Sequence, residues 1–127
     1  MTVVVGFIPT PVGFAALDAS LDEARRRGGP LIVVNVVRDG DEDDPRHASP
    51  EQLEMAQERL RSAPVRVDVR QVRAELGIAG VLLDIAETER ADLLVIGIRR
   101  EREHTRQFLG FTAQKLLVDA ACDVLVV

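Results

Sequence analysis

The chain contains no tryptophan and no tyrosine, and only four phenylalanines among its 127 residues. Proteins that bind single-stranded nucleic acid stack bases on aromatic side chains, and that means is nearly missing. A net charge of -5 removes the other common route, a broadly basic face. No nucleic-acid partner is therefore expected. With one cysteine, Cys122, the chain cannot close an internal disulfide, so a reducing, cytoplasmic setting is expected. No apolar run reaches the length of a membrane span, and the first residues lack the basic stretch and cleavage site of a secretory signal. No membrane association is expected.

Catalytic and metal-binding patterns are also scarce. His47 and His104 are the only histidines, each in a polar stretch without metal-ligand spacing. Zinc requires three or four converging ligands, so both read as solvated side chains, and no metal is expected. The acidic run Asp39, Asp41, Glu42, Asp43 and Asp44 lacks the glycine and terminal glutamate of a calcium loop, and reads as a solvated loop. No glycine-rich fingerprint follows Val5, and no Gly-Lys-Ser/Thr marks a phosphate-binding P-loop. A phosphoreceiver would need acidic residues where Phe7-Ile8-Pro9 stand, and an aspartate where Gln71-Val72-Arg73 stand. Cys122 precedes the last apolar run and reads as a packed thiol. No catalytic residues emerge, and no enzyme activity is expected.

Hydrophobic residues make up 46% of the chain and charged residues 29%, as in an ordinary globular domain, and one domain over 1–127 is expected. The apolar runs Thr2 to Phe7, Leu31 to Val37, Asp92 to Ile96 and Val124 to Val127 read as buried strands. Val65 to Arg70 alternates apolar and charged residues, which predicts an edge strand with one buried face. Between the strands lie helical patterns. Phe14, Leu17, Leu21 and Ala24 mark one apolar face from about Val12 to Arg27, with Asp22–Arg26 and Glu23–Arg27 spaced to pair along it. Gly28-Gly29-Pro30 stops that helix. Ser49, Pro50 and Gln52 predict a capping box opening a second helix, which Pro64 ends. Gly77 to Arg90 reads as a third, and a fourth starts near Gln107 or Gly110 and runs to Asp119.

This βαβαβαβαβ order implies a parallel sheet covered by helices on both faces, with ligands beyond the carboxyl ends of the strands. The loops after Phe7, Val37, Val72 and Ile96 are then the places to search, and two of these stand out, Ile8 to Pro11 first and Gly97 to Gly110 second. The second lies between a strand and a helix whose first N–H groups suit an anion.

The phrases in both halves carry a resemblance. Val3 to Phe7, Pro9-Thr10-Pro11, Ala15-Ala16-Leu17 and Leu31 to Val37 occur in the first half. Ala91 to Gly97, Phe108 to Leu117, and Cys122 before Asp123 to Val127 follow in the second. In order and content these resemble the universal stress protein family over nearly the whole chain. The resemblance implies a three-layer α/β/α sandwich, Rossmann-like and similar to the adenine nucleotide alpha hydrolases, with parallel strands in the order 3-2-1-4-5. It also implies a homodimer formed by Val124, Leu125, Val126 and Val127. A wholly apolar last strand agrees, because an open edge of that kind invites pairing.

Family members that bind ATP carry Gly, two residues, Gly, nine residues, Gly, then Ser or Thr. Gly97 and Gly110 match the first and third glycines, whereas Arg100 and Phe111 replace the second glycine and the hydroxyl residue. Ile8 stands where those members carry a ribose-binding aspartate; Thr10 matches a small hydroxyl position, and Val36 a valine whose backbone meets adenine. Losing the aspartate removes a charged hydrogen bond of about 1.5–3 kcal/mol. Arg100 adds a Cβ where positive φ would cost about 1–2 kcal/mol. The resemblance thus implies a stress-response binding or regulatory module with a degenerate nucleotide site and no cofactor. The alternative is a site for ATP or another adenine nucleotide formed by Gly97, Arg99, Arg100, Gly110 and Thr112, where the arginines suit phosphate oxygens. An enzyme of the wider superfamily would need a general base, nucleophile or metal-binding carboxylate that neither loop supplies.

Overall fold

The computed structural model describes residues 1–40, 43–75, 77–98 and 110–127. The elements alternate as β1 (Val3–Gly6), α1 (Pro11–Arg27), β2 (Leu31–Arg38), α2 (Pro50–Arg59), β3 (Val67–Ala74), α3 (Ile78–Thr88), β4 (Leu93–Ile96), α4 (Gly110–Asp119) and β5 (Asp123–Val126). The sheet is parallel throughout, in the order β3-β2-β1-β4-β5.

Strand residues alternate sides, so each valine-rich strand feeds two cores. On one face Val3, Val5, Val33 and Val95 pack with Leu17 and Leu21 of α1 and Ala56 of α2. On the other, Val4, Ile32, Val34 and Leu94 meet Leu82 of α3 and Ala113 and Leu116 of α4. The result is a helix–sheet–helix sandwich with apolar burial on both sides of the central strands.

Local signals set the helix ends. Thr10 caps α1, Pro11 occupies its first turn, and Gly28 closes it in the left-handed conformation at φ 82°. Arg25, Arg26 and Arg27 fill the last turn, where the helix dipole favours cations. Glu23 pairs with Arg27 as the spacing predicts, but it also takes Arg26, leaving Asp22 beside Arg25. At α2 the Ser49–Gln52 capping box is complete.

One strand departs from the sequence pattern. The alternation from Val65 to Arg70 predicts a strand over those residues, whereas β3 begins at Val67 and continues to Ala74. It pairs with β2 from Leu31↔Val67 to Arg38↔Ala74. The extension is hidden because Gln71 falls on the same face as Val67 and Val69, directly opposite Asn35 of β2. A polar cross-strand pair there replaces the apolar residue that would have prolonged the pattern.

Candidate functional site

The strand order reverses between β1 and β4, where Gly6 lies opposite Ile96. Their carboxyl ends and the start of α1 define the crevice expected to hold ligands in such sheets. Close packing brings the pieces together. A Cβ on Gly97 would lie 2.7 Å from the Val12 carbonyl oxygen and 2.9 Å from its side chain. A Cβ on Gly13 would lie 1.7 Å from the Ile8 carbonyl oxygen. Phe7 and Phe14 meet edge to face at 5.1 Å, bracketing the turn between β1 and α1. Gly97 is thus already required by the scaffold, whatever the site binds.

Thr10 sits at this crevice with its Oγ1 accepting the Gly13 N–H at 3.2 Å. That bond satisfies one of the orphan donors of α1, so the hydroxyl acts as a helix cap. Gly110 opens α4 at φ 78°, and an added Cβ would meet nothing within 4 Å among the described residues, so the glycine answers a conformational requirement there. Next to it Phe111 is 78% exposed, and Thr112 is half-buried. Arg99 and Arg100 lie outside the described residues, as do Asp41, Glu42 and His104.

Val36 belongs to a second region, a cleft beyond the end of β2 lined by Val36, Val37, Arg38, Asp44, Arg46, His47 and Ile78. Its cavity volume is about 10 Å³, room for roughly one water. The loop forming its outer wall is fastened by Asn35, which is fully buried in β2. The Asn35 amide nitrogen donates to the carbonyl oxygens of Phe7 and Arg46, both at 2.9 Å. Its oxygen accepts from the Ala48 N–H and from the Gln71 side chain, both at 3.1 Å. Gln71 completes the network by donating to the Ala48 carbonyl at 2.8 Å. One side chain therefore ties the end of β1 to the loop and holds the backbone on both sides of His47.

His47 is half-buried, and its Nδ1 is buried without a hydrogen-bond partner among the described residues. This corrects the expectation of a solvated histidine. The polar residues around it promise exposure, but Asn35, a polar residue inside an apolar strand, draws the loop inward. The acidic run is also less free than its composition suggests. Asp44 receives Arg46 through a fork of 3.0 and 2.7 Å plus the Arg46 N–H at 2.9 Å. These bonds hold the Asp44 carboxyl down at about 2. Asp39 pairs with Arg73 across the end of the sheet.

Other predicted residues lie away from the cleft. Cys122 is half-buried, and burial pushes its thiol up, against nucleophilic use. Val124, Leu125, Val126 and Val127 are all half-buried. Val124, Leu125 and Val126 pair with β4, and β5 forms one edge of the sheet. Among the described residues no helix is long and apolar enough to cross a membrane, and no group of three or more His, Cys, Asp or Glu is placed to hold a metal.

The sequence profile of the universal stress protein family matches residues 1–127. The chain belongs to the universal stress protein family. A universal stress protein of Mycolicibacterium smegmatis is 32% identical over 127 residues, covering 98% of this chain and 95% of that protein. A universal stress family protein of Burkholderia pseudomallei superposes with a TM-score of 0.76 at 27% identity, covering 99% and 94% of the two chains. The universal stress protein of Archaeoglobus fulgidus in complex with dAMP superposes with a TM-score of 0.75 at 24% identity, covering 98% and 94%. The Rossmann-like sandwich and the strand order 3-2-1-4-5 are thus those of the family. Set against the signature of its ATP-binding members, this universal stress protein keeps Gly97 and Gly110 and presents an exposed Phe111 in place of a hydroxyl.

Proposed function

We propose that this universal stress protein is a non-catalytic regulatory module of one domain. In this reading it works in a reducing, cytoplasmic setting as a homodimer through β5. Its nucleotide site is degenerate on the ribose and phosphate side and retained on the base side. The observation that carries the reading is the unequal state of the two halves. On the ribose and phosphate side the Thr10 oxygen caps α1, Ile8 offers no acceptor in place of the ribose-binding aspartate, and Phe111 is exposed. On the base side, Val36 and Ile78 wall an apolar cleft whose loop is fixed by three hydrogen bonds to Asn35 and Gln71. A ligand held mainly by its base gains little from additional phosphates. The dAMP bound by the Archaeoglobus fulgidus relative is a monophosphate, in keeping with this division.

Calorimetric titration with AMP and with ATP tests the proposal. The expected result is measurable AMP binding, with ATP no more than about tenfold tighter. ATP binding tighter by several powers of ten, or phosphate release from ATP, would overturn it. The absence of tryptophan and tyrosine gives a second readout, since a co-purified adenine nucleotide would dominate near-ultraviolet absorption.

One observation favours ATP as the ligand instead. Gly110 keeps a left-handed conformation at the start of a ten-residue helix, the geometry that presents free N–H groups to an anion. In that reading Gly97, Arg99, Arg100, Gly110 and Thr112 surround the phosphates, and tight ATP binding is the result that selects it.

A further inference from the structure

We infer that self-association through β5 and nucleotide binding at the crevice are linked: pairing of β5 with a second copy fixes Gly97 and so tightens the site. The inference rests on the dimer and the nucleotide site proposed above, and adds the means by which one regulates the other. Its physical basis is Val127, the residue after β5. The Val127 N–H donates to the Ile96 carbonyl at 2.9 Å, and the Val127 carbonyl oxygen accepts the Ile98 N–H at 3.0 Å. One residue thus holds the backbone on both sides of Gly97. Gly97 in turn abuts the start of α1, since a Cβ there would lie 2.7 Å from the Val12 carbonyl oxygen. The path from the sheet edge to the crevice therefore runs through backbone alone, from β5 through Val127 and Gly97 to Val12.

The end of β5 has two states, paired and frayed, and both sites bias the balance between them. β5 has four residues and forms one edge of the sheet, and Val124 to Val127 are only half-buried. A short strand with few buried contacts and one unpaired side belongs to the low-stability end of a fold. When its end frays, Ile96 and Ile98 lose Val127, and Gly97 loses its fixed position. Backbone groups alternate sides along a strand, so with those of Val127 turned to β4, those of Val126 and Val124 face the open edge. A second copy pairing there holds β5 down without competing for the bonds to Ile96 and Ile98. The ligand registers the difference because the site spans several strands. β1 separates β2 from β4, and Val34 and Ile96 both stand level with Gly6. Gly97 therefore lies two strand spacings, about 10 Å, from Val36, comparable to the span from base to phosphate in a mononucleotide. A nucleotide with its base at Val36 reaches Gly97 with its other end, and gains that contact only where Gly97 is in place.

The test uses wild-type protein and AMP. Equilibrium dialysis with radiolabelled AMP, below and above the dimer dissociation constant, should find the dimer binding at least about fivefold more tightly per site than the monomer. Linkage is reciprocal and a dimer holds two sites, so saturating AMP should lower the dimer dissociation constant in sedimentation by the square of that factor. Hydrogen exchange of the Ile98 amide should slow on dimerisation, a readout that needs no variant. Val127→Pro removes the N–H that reaches Ile96 but leaves the open edge of β5 unchanged, so it should still dimerise and lose most of the difference in AMP affinity. Val127→Ala, which keeps both backbone groups, should retain it. Equal AMP affinity of monomer and dimer, or full linkage in a Val127→Pro dimer, would overturn the inference while leaving the dimer and the nucleotide site standing. Failure of wild type to dimerise or to bind AMP would overturn the inference together with the reading it rests on.

Discussion

Asn35 accepts the backbone N–H of Ala48 at 3.1 Å while its amide nitrogen holds the carbonyl of Arg46 at 2.9 Å, so one buried side chain grips both flanks of His47. The first prediction follows from what this grip leaves behind when removed. Asn35→Leu keeps the branched shape and the number of heavy atoms but deprives Phe7, Arg46, Ala48 and Gln71 of a partner. Water can reach some of these groups once the loop loosens, so the loss should be about 2–4 kcal/mol and not the full sum. Urea unfolding measures it. Hydrogen exchange should show the Ala48 amide accelerated more than amides in the centre of β1. Equal protection of Ala48 in both proteins would remove Asn35 from its role as the loop's anchor.

Most of the architecture was legible because it depends on repeating patterns. The valine runs of β1 and β2 announce strands covered on two faces, and Ser49 with Gln52 announces a helix start that is present in full. The extension of β3 was not legible, since Gln71 interrupts the apolar alternation and its reason, Asn35, lies 36 residues away. The same long-range pair hid the state of His47. A polar loop reads as solvated until the buried amide that draws it inward is seen. Gly97 and Gly110 were both visible as signature residues, yet their physical duties differ. Gly97 makes room for Val12, whereas Gly110 supplies a positive φ.

That difference makes a second prediction, a graded series of glycine substitutions. Gly13→Ala places its Cβ 1.7 Å from the Ile8 carbonyl oxygen, where backbone must shift, and should prevent normal folding or destabilise by more than about 3 kcal/mol. In Gly97→Ala the nearest atom is the Val12 carbonyl oxygen at 2.7 Å, with an expected loss of about 1–3 kcal/mol. Gly110→Ala meets no atom within 4 Å among the described residues and should lose only the left-handed conformational term, about 1–2 kcal/mol. Thermal midpoints should fall in the order 110, 97, 13. A larger loss at 110 than at 97 would contradict the steric account.

A third prediction concerns acid. The Asp44 carboxyl, normally near 3.8, is held at about 2, first by the Arg46 side-chain hydrogen bonds and then by the Arg46 backbone N–H. Because the folded state binds this proton less readily than the unfolded chain, the contribution to stability is present above the ordinary carboxylate range. It is lost as pH falls from about 3.8 through 2. Carbon-detected NMR titration should find Asp44 still ionised at pH values where exposed aspartates are protonated. Arg46→Gln should return its midpoint toward 3.8, and a midpoint unaffected by Arg46→Gln would show that another group holds the carboxylate.

The fourth prediction places the dimer at β5. The strand Asp123–Val126 is hydrogen-bonded along one side to β4, and it forms the edge of the sheet opposite β3. The two edges differ in chemistry. β3 carries Asp68, Arg70 and Arg73, charges of the kind that discourage pairing, whereas β5 is apolar after its first residue. A second copy meeting β5 would bury a row of valine and leucine side chains at a two-fold axis, each strand serving as the other's partner. Val126→Lys puts two like charges into that row and should yield monomer or aggregate by light scattering. The control Arg73→Glu, on the opposite edge, should leave the assembly intact. A dimer that survives Val126→Lys and dissociates on a change in β3 would assign the interface to the charged edge instead.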